Sequence, residues 1–222
     1  KLANPQTGEV IYTPPEGQAL IRGKLANLER FLYPEPPDDL DPLVRMAVMH
    51  YQFEAIHPFS DGNGRTGRIL NILWLVEQKL LDVPVLYLSR YILATKAAYL
   101  RGLRAVTEEA AWEPWLLYML EAVEQTAQET CTRVERMLAL MEATRQEVQA
   151  KAPRIYSKDL VELVFTHPYC KIQFLLDANL AKRQTASDYL RTLAELGLLK
   201  PLKVGREMYY VNERLFAELV RA

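Results

Sequence analysis

Twelve consecutive residues concentrate the chemistry this chain can do: His57-Pro58-Phe59-Ser60-Asp61-Gly62-Asn63-Gly64-Arg65-Thr66-Gly67-Arg68. Glycines at 62 and 64 let the backbone approach an anion closely, and the unpaired amides of a helix starting there would point at it. Arg65 and Arg68, at i and i+3, fall on that helix's first turn and can fork onto phosphate oxygens. Asp61 is a hard oxygen ligand of the kind Mg²⁺ takes beside substrate phosphates. His57 is the nearby group able to accept a proton near neutral pH. Taken singly, each has a plainer reading: a capping histidine, an Asn-Gly turn, two arginines on a solvated face or paired with Glu54 or Glu77. Their joint spacing describes a polyphosphate site with its own base and metal ligand.

Two helices must hold that loop. Asp41 reads as an N-cap with Pro42 in the first turn, opening a helix to Ile56 with Leu43, Met46, Met49, Phe53 and Ile56 on one face. Val48, Tyr51 and Ala55 make its other face apolar too, and Arg65 to Leu80 has the same character through Ile69, Leu70, Ile72, Leu73, Trp74, Leu75 and Val76. Helices apolar nearly all round belong at the centre of a bundle. His50, inside the first, reads as a packed core histidine, and Trp112 and Trp115 as packing residues.

Around this pair, Asn4 to Pro15 reads as a short hairpin, with Pro5-Gln6-Thr7-Gly8 as the turn, Glu9 to Tyr12 as a strand and Pro14-Pro15 as the stop. Further helices are predicted over Gly17 to Leu32, Ser89 to Glu109, and from Pro114 into a polar stretch that ends before Pro153. Beyond it come helical segments near Lys158 to Phe165, Lys171 to Ala178 and Thr185 to Leu196, the last stopped by Gly197. An alternating run, Leu198 to Val211, is broken at Gly205, and His167 reads as a loop residue. Three helices and then a hairpin, with Tyr209 and Tyr210 as strand formers, is the winged helix-turn-helix order. The fold class expected is mainly α: a bundle over 1–125, a helical connector over 126–152 and a small α+β winged-helix domain over 153–222.

Composition bounds the partners. The chain has 222 residues, 27 Lys plus Arg against 28 Asp plus Glu, and 50% hydrophobic residues, so it can bury a core and has no global attraction for nucleic acid or anionic membrane. Residues 151–222 carry 12 basic against 8 acidic side chains, a balance of +4, and residues 1–150 carry 15 against 20, a balance of −5. If the basic module binds DNA, Lys182, Arg183, Ser187, Arg191 and Arg206 would make the contacts; winged helices also serve as dimerisation or protein-docking modules. Cys131 and Cys170 have no metal-ligand spacing and read as reduced thiols of a cytoplasmic protein. No run reaches the roughly 18 apolar residues of a membrane span.

The loop from His57 to Arg68 resembles the Fic family signature, H-P-F-x-[DE]-G-N-G-R-x-x-R, at every specified position. Val10 to Pro15 looks like the hairpin ending in consecutive prolines that family members place before their central helices. The resemblance implies a bacterial protein adenylyltransferase that moves AMP from ATP, with Mg²⁺, onto a Ser, Thr or Tyr hydroxyl of a protein, including its own. It implies that His57 is the general base, that Asp61 holds Mg²⁺, that Gly62 to Gly64 form the anion hole with help from the Asn63 side chain, and that Arg65 and Arg68 contact phosphates. Pro58 would stiffen the helix exit and Phe59 would anchor the loop in the core. Tyr99 falls where relatives often line the adenine pocket, whereas an asparagine found in some relatives is replaced here by Val106 or is absent. The strand Glu9, Val10, Ile11, Tyr12 would be the flap that pairs with the backbone of the target.

Many relatives are silenced by a helix carrying [ST]-x-x-x-E-[GN]. Here Glu16-Gly17 is the one Glu followed by Gly or Asn, and Tyr12 stands four residues earlier, so that motif is absent. With the missing start Met, this gives the expectation that an inhibitory segment lies upstream and that the chain is derepressed. Three other readings stand beside AMP transfer: phosphoryl transfer with the nucleotide reversed, removal of AMP from a modified protein, and a DNA-binding regulator whose first part senses nucleotide. A homodimer is a further expectation.

Overall fold

The computed structural model describes residues 2–3 and 10–221. It is mainly α-helical, in two compact units, Lys1–Thr130 and Cys131–Ala222. In the first unit, β1 (Leu2–Ala3) pairs antiparallel with β2 (Val10–Tyr12), in a register that sets Leu2 against Tyr12 and Ala3 against Val10. The predicted turn at 5–8 and Glu9 lie outside the described residues.

Helix α1 (Gln18–Leu32) precedes α2 (Pro42–Ile56), which begins where its cap dictates. The Asp41 side chain accepts from the amides of Leu43 (2.8 Å) and Val44 (3.4 Å), a cap worth about 1 kcal/mol, and Pro42 needs no amide partner there. Helix α3 (Asn63–Glu77) starts two residues before the predicted Arg65 and ends short of Leu80. The two helices form the centre of the core through Met46, Met49, Phe53, Ile56, Trp74 and Leu75, all buried. The second helix is not buried all round, however: Ile69 and Leu73 stand half exposed on its outer face.

The single helix predicted over Ser89 to Glu109 is two, α4 (Ser89–Ala94) and α5 (Lys96–Glu109). The break falls at Thr95 (φ −111, ψ 27), whose hydroxyl bonds the Tyr91 carbonyl at 2.7 Å and lies 2.8 Å from the Tyr118 hydroxyl. Helix α6 (Trp112–Lys151) carries Trp115, fully buried, whose indole donates to the Ala47 carbonyl at 2.9 Å. This pins it to α2.

The second unit contains α7 (Lys158–Thr166), β3 (Tyr169–Cys170), α8 (Ile172–Asp177), α9 (Arg183–Glu195), β4 (Lys200–Val204), β5 (Glu207–Val211) and α10 (Glu213–Val220). Its sheet runs β3-β5-β4, all antiparallel, with Gly205 at φ 61 turning the β4–β5 hairpin. Leu160, Val164, Leu175, Leu190, Leu193 and Tyr210 fill its core. The sequence reading lacked β3 and α10. Among the described residues no helix is long and apolar enough to cross a membrane.

Candidate functional site

Helix α2 ends at His57, which takes the left-handed conformation (φ 50, ψ 57) with its amide bonded to the Phe53 carbonyl at 3.0 Å. The imidazole Nδ1 lies 3.3 Å from the Glu54 carbonyl oxygen. A carbonyl only accepts, so Nδ1 carries the proton and Nε2 keeps its lone pair. The backbone therefore selects the tautomer that a base needs.

The loop back to α3 is tied by Asn63, 2% exposed, whose Oδ1 accepts from the Phe59 amide (2.9 Å) while its Nδ2 donates to the Phe59 carbonyl (2.6 Å). Both side-chain groups are committed to the loop, which leaves the backbone amide as what Asn63 could offer an anion. Phe59 does not anchor the loop in the core, as the sequence suggested: the residue is 51% exposed, its ring centroid 6.3 Å from that of Phe53. A ring on a loop outside α2 reaches only the rim of the bundle, and the two bonds to Asn63 hold its backbone instead.

Gly62 caps α3 at φ 87, in the left-handed region that favours glycine, and its carbonyl accepts from Thr66 N (2.9 Å) and Thr66 Oγ1 (3.0 Å). The amides of α3's first turn, at Asn63, Gly64 and Arg65, precede the ladder that begins with Thr66 and form an electropositive rim. Asp61 accepts from the Gly62 amide at 2.7 Å and pairs with Arg65 at 3.0 Å, both side chains largely exposed. Such a surface pair is worth under about 1 kcal/mol and can be exchanged for a ligand. Arg68 is half-buried, its Nε donating to Ser89 Oγ at 2.8 Å.

A cavity of about 160 Å³ opens beside His57, between α2 and α5, lined among others by Tyr12, Tyr51, Glu54, Tyr99, Leu103 and Arg104. The Tyr12 hydroxyl donates to the Ala55 carbonyl at 2.7 Å, fastening the end of β2 beside His57. Val10 and Ile11 lie in β2 with it, and Glu9 is outside the described residues. Tyr99 is 7% exposed with its hydroxyl 3.0 Å from His50 Nε2, so it offers the cavity a ring edge and no free hydroxyl. His50 is fully buried, with Nδ1 3.0 Å from Asn71 Nδ2, and burial pushes it down to about 4, so it is neutral at pH 7. Burial pushes the Glu54 carboxyl up to about 7, against the pull of the Arg68 guanidinium.

Glu54 and Ser89 are the residues of this site that sequence reasoning missed as participants. Glu54 had a signal, an acid one turn before His57 on a largely apolar helix; Ser89, 21 residues beyond Arg68, had none. In the second unit, Lys182 and Arg183 are exposed at the start of α9 with Ser187 half-buried one turn on, and Arg206 is exposed at the hairpin. Arg191 is held by Asp188 at 2.6 Å and lies 4.0 Å from Glu195. Among the described residues no group of three or more His, Cys, Asp or Glu could hold a metal ion, and Cys131 and Cys170 are free thiols.

Residues 3–75 match the Fic/DOC family, and residues 140–215 match the family described as protein adenylyltransferase SoFic-like, C-terminal domain. A probable protein adenylyltransferase of Aquifex aeolicus, aq_aa38, is 31% identical over 74% of this chain and 46% of its own length. Protein adenylyltransferase fic-1 of Caenorhabditis briggsae is 34% identical over 42% of this chain and 18% of its own. The chain thus spans less than half the length of these relatives. A crystal structure of a Fic family protein from Desulfovibrio desulfuricans G20 aligns with a TM-score of 0.48 at 21% identity, over 89% of this chain and 56% of that one.

Proposed function

We propose that this chain, whose residues 3–75 match the Fic/DOC family, is a protein adenylyltransferase, moving AMP from ATP to a Ser, Thr or Tyr hydroxyl of a protein. The observation that carries the reading is the contact of His57 Nδ1 with the Glu54 carbonyl oxygen at 3.3 Å. With Nδ1–H held by the Glu54 carbonyl, Nε2 is the acceptor for the proton of an incoming hydroxyl. The freed oxygen attacks the α-phosphorus in line, the α–β phosphoanhydride bond breaks, and pyrophosphate leaves.

The charge that builds up is met by groups already in place. Amides of Gly64 and Arg65 at the α3 terminus, and the Arg65 and Arg68 side chains, would contact the phosphate oxygens. A lone carboxylate beside phosphates is the donor set that Mg²⁺ uses, with water and phosphate completing it, so Asp61 would hold the ion and the ion would neutralise polyphosphate charge. The free edge of β2 is the proposed flap, and the Tyr12 hydroxyl ties its end to the Ala55 carbonyl. We assign residues 1–125 to catalysis, 126–152 to a helical connector and 153–222 to a winged helix, on the order of α7, α8, α9 and the β4–β5 hairpin. A cytoplasmic setting fits the two unpaired cysteines.

The experiment is transfer from ATP carrying its label on either the α- or the γ-phosphate. Adenylylation predicts that α-label enters protein with one pyrophosphate released per hydroxyl modified. Transfer of γ-label alone would replace this reading with phosphoryl transfer.

A further inference from the structure

The Glu54 carboxyl takes no part in the steps above, yet it is built into the site. Its Oε1 is buried without a hydrogen-bond partner. That oxygen lies 2.7 Å from where a Cβ on Gly67 would stand and 3.8 Å from the corresponding point on Gly64. Arg68 Nη1 is 3.1 Å from the same Gly64 point, so carboxyl and guanidinium flank the first turn of α3, where the anion would sit. Arg68 spends its Nε on Ser89 rather than on Glu54.

We propose that Glu54 takes up a proton when a polyphosphate binds at the start of α3, so that nucleotide affinity is proton-linked. This rests on the nucleotide-binding reading above. A buried carboxylate keeps its charge only with help from a nearby cation, and Arg68 supplies that help in the free protein. A bound phosphate neutralises Arg68 and adds negative charge a few ångströms away. Both changes favour the neutral acid. The other groups around it do not replace the lost cation: His50 is neutral, Tyr99 keeps its proton, and Arg104 and Glu108, across the cavity on α5, carry opposite charges. His57, one turn along α2, is present in both wild type and Glu54→Gln.

The linkage has a definite sign. With the free carboxyl near 7, the neutral form is nearly complete at pH 6 and about a tenth of the population at pH 8, so affinity falls as pH rises. The test uses α,β-methylene-ATP, which cannot release pyrophosphate, titrated calorimetrically into wild type and Glu54→Gln from pH 6 to 8. The ratio of wild-type to variant dissociation constants is expected to grow about tenfold across that range. Difference infrared spectroscopy of wild type at pH 7.5 should show a protonated-carboxyl band appearing with the nucleotide, even if the variant does not fold. Binding with a constant ratio, or with no such band, overturns the proposal and leaves the nucleotide site standing. Absence of binding in both proteins at every pH overturns the site and the proposal together.

Discussion

Glu54 and Gly67 meet where α2 crosses α3, so closely that a methyl group on Gly67 would stand 2.7 Å from Glu54 Oε1. The same methyl would lie 3.3 Å from His50 Cε1 and from Phe53 Cδ1. Gly67 is therefore what lets the helix bearing Arg65 and Arg68 approach the helix bearing His57.

Gly67→Ala should destabilise the first unit by about 1–3 kcal/mol in urea or thermal unfolding, because the helices must part or Glu54 must move. Gly23→Ala, on the open face of α1 with nothing within 4 Å of its Cβ, should instead stabilise by about 0.5–1 kcal/mol. Equal effects from the two substitutions would refute the close-approach argument.

Acid should act on the first unit through His50. Its folded value near 4 lies below the unfolded 6.5, so its contribution is present above pH 6.5 and is lost as pH falls toward 4, up to about 3 kcal/mol. Glu54 works in the opposite sense, its raised carboxyl contributing fully below about pH 4.5 and losing that stability as pH rises through 7. His50→Gln should cost stability at pH 7, through the lost contacts with Tyr99 and Trp115, and should flatten the decline between pH 6.5 and 4. A decline of undiminished slope would place the acid sensitivity elsewhere.

Asn63→Ala removes both bonds that tie Phe59 to α3 and leaves the Phe59 amide and carbonyl to find water. A loss of about 1–3 kcal/mol is expected, together with at least a tenfold drop in transfer at saturating ATP as the loop after His57 loosens. Unchanged turnover would mean that the loop is held by something other than this clamp.

Much of the architecture is written in local chemistry. Asp41 with Pro42 sets the start of α2, Gly62 the start of α3, and Gly197 and Gly205 stop α9 and turn the hairpin. Features made by tertiary contact were not legible. The break at Thr95 has no Gly or Pro to announce it, and the Thr95 hydroxyl is held by Tyr118, 23 residues on. Two residues are too few for β3 to show a period, and it exists because Tyr169 and Cys170 pair with Val211 and Tyr210. Helix α10 did have a signal in Asn212, whose Oδ1 caps it at Leu215 N. In the candidate site, spacing marked the loop and its arginines, but the Phe59–Asn63 clamp and the Arg68–Ser89 bond depend on packing that no pattern encodes.

The central claim is that His57 Nε2 accepts the proton of a protein hydroxyl during AMP transfer. It is tested most directly by incubating wild type and His57→Ala with α-phosphate-labelled ATP and a protein extract, with circular dichroism to establish that both are folded. The account predicts label in protein with wild type and at least a hundredfold less with His57→Ala, with ATP affinity little changed. Equal labelling by the two proteins would contradict it.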